Sequence, residues 1–187
     1  MKKIMFDDKF GLTKAVLEGR KTMTRRLPDK NWRCVMSGIA GRDLSKVSTP
    51  YKVGEVVAVA QSYKSLNEMG YIAPEWCAHS CEDEENPAYN NKMFVLAELM
   101  PHQVRITNVR VERLRDITRG DIEKEGIQWS HKAHRYYTCF NPITATYLWL
   151  KGSTPEEAFA ALIDKISGKG TWERNPWVLV YEFELVK

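Results

Sequence analysis

Gly19-Arg20-Lys21-Thr22-Met23-Thr24-Arg25-Arg26 sets four cations and two hydroxyls within eight residues, directly after a short amphipathic segment. In that segment, Asp8 to Glu18, the residues Leu12, Ala15 and Val16 fall at helical spacing, Asp7 or Asp8 can cap the start, and Gly19 supplies a left-handed stop. The basic cluster therefore begins where a helix ends. Lys21 and Thr24 would point to opposite faces of a regular strand, so sharing one pocket requires a turn or bulge between them. By residue type alone the cluster reads either as an anion or nucleotide site, or as a solvated edge strand in which Thr22 and Thr24 serve β propensity.

Downstream, the patterning predicts several strands and a few short helices. Val53 to Ala60 reads as a strand, and Met93-Phe94-Val95-Leu96-Ala97 as a buried strand pairing with it across an irregular stretch. Between Val104 and Leu114 the apolar positions switch from even (Val104, Ile106) to odd (Val109, Val111), which predicts a β-bulge near Thr107-Asn108. In the last strand, Trp177, Leu179, Tyr181, Phe183 and Leu185 share one face, while Val178 and Val180 make its first half apolar on both, as in a central strand. Thr154-Pro155-Glu156-Glu157 is a capping box with proline at the first helical position, and Gly168 ends the helix that carries Phe159, Leu162, Ile163 and Ile166. Thr118-Arg119-Gly120-Asp121 caps a helix of about two turns that stops at Gly126, with Ile127 covering its end. The fold class is α+β.

A chain of 187 residues suits one well-buried domain and is short for two, so it reads as a single domain, 1–187, with loop insertions at about 28–50, 64–92 and 128–151. Hydrophobic residues at 43% and charged residues at 28% are ordinary for a soluble globular protein. A formal net charge of +4 is too small to indicate nucleic-acid binding by itself, so the placement of charge decides. Arg105, Arg110, Arg113 and Arg115 line a strand, and Glu82-Asp83-Glu84-Glu85 forms an acidic block. No apolar run reaches membrane-span length, and Asp7 and Asp8 interrupt any signal-peptide core; the expectation is a cytoplasmic monomer without a membrane partner. Cys34, Cys77, Cys81 and Cys139 lack a disulfide rhythm and suit free thiols. Cys77-Ala78-His79-Ser80-Cys81 offers zinc donors, but no second Cys-x-x-Cys knuckle follows, and neither a metal nor a cofactor is expected.

The Gly-Arg-Lys-Thr-x-Thr-x-Arg pattern of residues 19–26 resembles the signature of the ASCH family, small domains related to the RNA-binding PUA fold. Tyr51-Lys52-Val53-Gly54-Glu55-Val56-Val57, Leu114-Arg115-Asp116-Ile117-Thr118 with Glu125-Gly126-Ile127, and Asn175-Pro176-Trp177 through Phe183 resemble further blocks of that family, notably its longer phage and prophage members. The resemblance implies a small mixed-strand PUA-like β-barrel with peripheral short helices, and a nucleoside or RNA as partner. Among ASCH-like proteins, a bacterial amidohydrolase acting on N(4)-acetylcytidine uses a lysine, a threonine and a glutamate. By motif the first two fall on Lys21 and Thr24, and the third matches Glu125 in the short helix after the central strands. The chain departs from many longer relatives at Ala58-Val59-Ala60-Gln61-Ser62-Tyr63, where they carry Trp-Val-Arg-Glu-Thr-Trp, so Ala60 and Gln61 replace an arginine and a carboxylate.

The resemblance therefore makes Lys21, Thr24 and Glu125 the catalytic candidates, and Arg20, Thr22, Arg25 and Arg26 the ligand-binding ones. A lysine that is desolvated, or set among Arg20 and Arg26, loses its proton more readily and can serve as base for Thr24 or for a water. Glu125 falls in the last turn of its helix, where a negative charge is disfavoured by roughly 0.3–1 kcal/mol, a setting that suits an acid for a departing cytosine amine. Arg26, or backbone amides beyond Gly19, can stabilise the oxyanion. The plainer alternative has Glu125 pairing with Arg119 or Lys124. Trp129, Lys132, Arg135, Tyr136 and Tyr137, with His131, His134 and Phe140, interleave aromatic and basic side chains in a loop, a composition that stacks bases and holds phosphates; equally, the aromatics can pack on Tyr147, Leu148 and Trp149. A non-catalytic RNA-binding module, or a ribonuclease using His131 and His134, are the alternatives to an amidohydrolase.

Overall fold

Gly11 divides the N-terminal helical stretch of the chain, which a computed structural model describes over residues 1–28, 49–71, 87–141 and 144–186. A 3-10 turn, Asp8–Phe10, is capped by the Asp7 carboxylate, which accepts from the Lys9 amide at 2.8 Å. Helix α1 (Leu12–Leu17) follows. The continuous helix expected from Asp8 is broken because Gly11 adopts φ 64° and lies against Cys139, whose Cβ would stand 2.4 Å from a Cβ at position 11. Gly19, at φ 71°, supplies the expected stop.

Five strands form the main sheet: β1 (Lys3–Ile4), β2 (Met23–Arg26), β3 (Val56–Val59), β4 (Gln103–Arg113) and, last in the chain, β8 (Trp177–Leu185). Their order is β1-β3-β4-β8-β2, with β1 parallel to β3 and the other pairs antiparallel. β8 is central, as its doubly apolar first half requires, and the β4–β8 register shifts between Ile106 and Asn108. That bulge brings Ile106 and Val109 onto one face, opposite Phe183 and Tyr181. The sheet is open, its two edges being β1 and β2.

Helices α2 (Tyr63–Glu68), α3 (Pro87–Asn90), α4 (Arg119–Lys124), α5 (Pro155–Ser167) and α6 (Thr171–Arg174) complete the α+β architecture. Thr118 caps α4 by accepting from the Asp121 amide at 3.2 Å, and Thr154 caps α5 by accepting from Glu157 at 3.1 Å. Phe159, Leu162 and Ile163 of α5, Ile122 of α4 and Leu12 and Val16 of α1 pack with Leu179, Tyr181 and Phe183 in the principal core. None of the helices among the described residues is long and apolar enough to cross a membrane.

Two expectations are corrected. Residues 93–97 form no strand: they turn into a 3-10 segment, Ala97–Leu99, and β3 pairs with β1 and β4 instead. The Lys3 ammonium takes the carbonyls of Lys92, Met93 and Val95 at 3.1, 2.9 and 2.7 Å, so these groups are satisfied without a ladder, while Met93, Phe94 and Leu96 stay exposed. The segment 128–151, read as a loop, holds a second antiparallel sheet of β5 (Gln128–Ser130), β6 (Arg135–Asn141) and β7 (Thr146–Trp149). Cys34, Cys77, His79, Cys81, the acidic block and most of the insertions at 28–50 and 64–92 lie outside the described residues.

Candidate functional site

Lys21 is set in place before β2 begins. Its amide donates to the Ala15 carbonyl of α1 at 2.9 Å, and the next amide, Thr22, donates to the Lys124 carbonyl of α4 at 2.9 Å. The chain is thereby clamped between two helix ends, and the turn needed to bring Lys21 and Thr24 to one pocket lies at 21–22, ahead of the regular strand. Gly126 makes this approach possible: at φ 94° it carries no side chain, and a Cβ there would stand 3.3 Å from Lys21 Cβ and 3.4 Å from Ala15 Cβ.

The Lys21 ammonium lies 2.5 Å from Glu125 Oε2 and 2.9 Å from the Glu125 carbonyl, and the two residues are 2% and 5% exposed. Glu125 thus meets Lys21 rather than Arg119 or Lys124, which turn to Glu156 at 3.3 Å and Glu182 at 3.9 Å. Burial pushes the Lys21 pKa down, the Glu125 carboxylate opposes that shift, and Arg26 and Arg25 add to it. Arg20 is not among the causes, because its guanidinium turns to Glu18 at 2.5 Å and to the Thr138 carbonyl at 3.1 Å.

Arg25 lies on the opposite face of β2 from Thr24 and is committed to carboxylates: Glu125 Oε1 at 3.3 Å, Glu112 Oε1 at 2.5 Å and Asp121 Oδ2 at 2.9 Å. Arg110 bonds to Glu112 at 2.9 Å, Asp121 at 3.0 Å and also Glu182. With all these partners, Arg25 orients Glu125 instead of reaching out to a ligand. Glu112, Asp121 and Arg110 were not among the site residues expected from the sequence. Asp121 and Glu125 are four apart on one helix, a spacing that places both on one face and was the available signal.

Lys21, Thr24, Arg25, Arg26 and Glu125 all line a pocket of ≈ 280 Å³, walled on its other side by Phe6, Leu12, Phe159, Leu162 and Ile163. Thr24 is 7% exposed, pairs in register with Tyr181, and its hydroxyl has no hydrogen-bond partner among the described residues. Arg26 donates to the Met5 carbonyl at 2.5 Å and lies 5.7 Å from the Phe6 ring centre. Its buried Nε has no partner, and no carboxylate among the described residues pairs with it. Burial lowers the Arg26 pKa, but an arginine remains a cation. The arrangement juxtaposes a desolvated amine, a carboxylate, a free hydroxyl and a guanidinium that no carboxylate among the described residues pairs with. Ala60 and Gln61, the departures from the family pattern, do not line it.

Arg20 and Thr22 face elsewhere. With Lys124, Gln128, Trp129 and Tyr137 they line a wider groove of ≈ 600 Å³. Trp129 packs on Tyr136 with ring centres 4.6 Å apart, Tyr137 meets Tyr147 edge-on at 4.9 Å, and Arg135 lies 5.2 Å over Trp149. Lys132, His131 and His134 sit on the exposed β5–β6 turn, with His134 edge-on to Trp129 at 6.2 Å. Of the aromatic and basic residues expected to contact RNA, Trp129 and Tyr137 enter the groove, whereas Lys132, Arg135 and Tyr136 do not line it. Comparison with protein-family models, with curated proteins and with solved structures returned no match.

Proposed function

We propose that this chain is an ASCH-type domain of PUA-like, barrel-related fold, and that its Lys21 pocket hydrolyses the amide of an acylated cytidine. The observation that carries the reading is the buried Lys21–Glu125 contact at 2.5 Å in the pocket that Thr24 also lines. An edge strand in water would leave these groups solvated; here they are withdrawn from it. Moving one proton from Lys21 Nζ to Glu125 Oε2 yields a neutral amine and a carboxylic acid side by side, the base and the acid that amide hydrolysis needs. Lys21 then takes the proton from Thr24, or from a water held by it, as the oxygen attacks the acyl carbon. The carbonyl oxygen gains negative charge beside Arg26, and Glu125 protonates the departing cytosine amine. Where Thr24 attacks, Lys21 next deprotonates a water that adds to the Thr24 ester, and Glu125 returns a proton to the Thr24 oxygen as acetate leaves. A mixed sheet, with Glu125 capping the C-terminus of α4, supports this reading.

The test is release of acetate and cytidine from N(4)-acetylcytidine by purified protein, with Lys21→Arg and Thr24→Ala alongside. Turnover by the wild type and its loss in both variants is the expected result; arginine keeps the charge but cannot act as a base near neutral pH. A Lys21→Arg enzyme that still hydrolyses the amide refutes the mechanism.

A second reading, RNA binding without catalysis, draws on the ≈ 600 Å³ groove, where Arg20, Lys124 and the Trp129 and Tyr137 rings combine cationic and stacking surfaces. No turnover by the wild type, together with salt-dependent binding of single-stranded RNA that Trp129→Ala weakens, would make this the function.

A further inference from the structure

Arg113 and Arg174 meet beside Trp177, where β4 ends and β8 begins. The Arg113 guanidinium lies 4.3 Å over the Trp177 ring and donates to the Asn175 carbonyl at 3.1 Å. Arg174 donates to the Lys169 carbonyl at 3.3 Å and to Thr171 Oγ1 at 2.8 Å. All three acceptors are neutral oxygens, and neither guanidinium forms a salt bridge among the described residues, although the Asp164 carboxylate feels the charge of Arg174. Between the two arginines lies a cavity of ≈ 310 Å³ whose remaining lining is Leu27, Pro28, Thr171, Pro176 and Trp177, with no acidic side chain among the described residues. Arg115 lies 5.8 Å over the Trp172 ring and does not line the cavity. Asp116 accepts from the Arg113 amide at 3.3 Å, and its carboxylate does not line the cavity.

Hydrogen bonds hold the backbone on one side of the cavity. Leu114 donates its amide to the Pro176 carbonyl at 3.0 Å, Arg115 donates to Asn175 Oδ1 at 2.9 Å, and Asp164 holds the amides of Gly170 and Trp172 at 2.9 Å each. A carboxylate can also bridge two guanidiniums, as Glu112 and Asp121 do between Arg25 and Arg110, but a phosphate monoester carries close to two negative charges and so balances two arginines more fully. The cavity volume is that of a small-molecule site, not of a strand-length channel.

We propose that this cavity binds a phosphorylated small molecule, with Arg113 and Arg174 on the phosphate and Trp177, Leu27 and Pro176 against its aromatic or apolar body. Leu27 is the one lining residue it shares with the Lys21 pocket, so the inference stands whether or not Lys21 is a catalytic base.

Amide chemical shifts are followed while cytidine monophosphate or inorganic phosphate is added at constant ionic strength. Saturable shifts around Arg113, Arg174 and Trp177 are expected, with the nucleotide binding more tightly than phosphate. Arg113→Gln and Arg174→Gln each weaken binding by roughly tenfold or more. Arg113→Lys and Arg174→Lys, which keep the charge and lose the fork, weaken it less and serve where a glutamine variant does not fold. The absence of saturable shifts, or equal affinity in the arginine variants, overturns the proposal. So does a single-stranded oligonucleotide without a terminal phosphate that uses the same arginines and binds more tightly than the nucleotide, since the site would then belong to a strand backbone.

Discussion

Lys21 and Glu125, separated by 104 positions in the chain, form a contact of 2.5 Å between side chains that are 2% and 6% exposed. Removing one partner strands the other, and for a buried pair the loss is about 3–5 kcal/mol. Lys21→Met is expected near the lower end of that range, because Arg25 still faces Glu125 Oε1 at 3.3 Å. Adding Glu125→Gln to Lys21→Met should restore part of the stability. Urea denaturation across the four proteins of the cycle measures the coupling; additive losses would show that the pair is not coupled.

The same pair sets a pH dependence. In the native state the Lys21 pKa lies below its ordinary 10.5, chiefly through burial. Between the lowered native value and 10.5 the unfolded chain therefore binds more protons than the native one, so stability rises with pH across that window. Below it both states are protonated and the penalty is present in full. Wild type should gain stability relative to Lys21→Met as the pH is raised from neutrality toward 10.5, read from urea midpoints. Hydrolysis by the proposed mechanism should fall over the same window, because the one proton shared by Lys21 and Glu125, which Glu125 must give to the departing amine, is lost to solvent.

Gly126 connects backbone conformation to the site. At φ 94° a side chain is strained, and a Cβ would press on Lys21 Cβ at 3.3 Å. Gly126→Ala should cost about 1–2 kcal/mol from the left-handed backbone alone. It should also lower turnover by more than that destabilisation explains, because the displaced atom belongs to Lys21. Activity measured well below the melting temperature separates the two effects; a folded variant with wild-type turnover would show that the lysine tolerates the shift.

Arg26 is the cation of the 19–26 cluster that no carboxylate among the described residues claims: Arg20 is paired with Glu18, Lys21 with Glu125, and Arg25 with three carboxylates. A buried unpartnered Nε beside the pocket is the geometry of a donor awaiting charge on the ligand. Arg26→Gln should lower kcat by roughly 10²–10³-fold with a smaller change in KM, the behaviour of a group that acts on the transition state. Steady-state kinetics on N(4)-acetylcytidine decide it, and a change confined to KM would make Arg26 a ground-state contact.

What could be read from the sequence was local. Thr154 and Gly168 bracket α5, Thr118 caps α4, and the parity switch between Ile106 and Val109 marks the bulge, because each signal resides in neighbouring residues. The second sheet was missed because β5, β6 and β7 are largely exposed, so no apolar alternation announces them. Met93 to Ala97 misled for the opposite reason: the run is apolar, yet its carbonyls are held by Lys3, on the far side of a long excursion. That Lys21, Thr24 and Glu125 share one pocket was suggested by the family resemblance and not by periodicity, which also could not say that Arg25 would turn inward to Glu112 while Arg20 turned out to Glu18.

Tyr181, opposite Thr24 in the β2–β8 register, is wholly buried, and its hydroxyl faces the Tyr51 backbone without a hydrogen bond of good geometry. A phenol left unsatisfied in a core costs about 1–3 kcal/mol, so Tyr181→Phe should be at least as stable as wild type at neutral pH. Burial pushes the Tyr181 pKa up to about 12 from an ordinary 10.0. Between these values the native state holds the proton and the unfolded chain releases it, so the stability from this group is intact below pH 10 and falls as the pH rises toward 12. The phenylalanine variant lacks that fall and should overtake wild type increasingly in alkaline urea titrations. Comparing the two at fixed Lys21 keeps the lysine's opposite trend out of the difference. A Tyr181→Phe protein less stable than wild type at neutral pH would mean that the hydroxyl is bonded after all, and that the core beneath Thr24 is held by a polar contact.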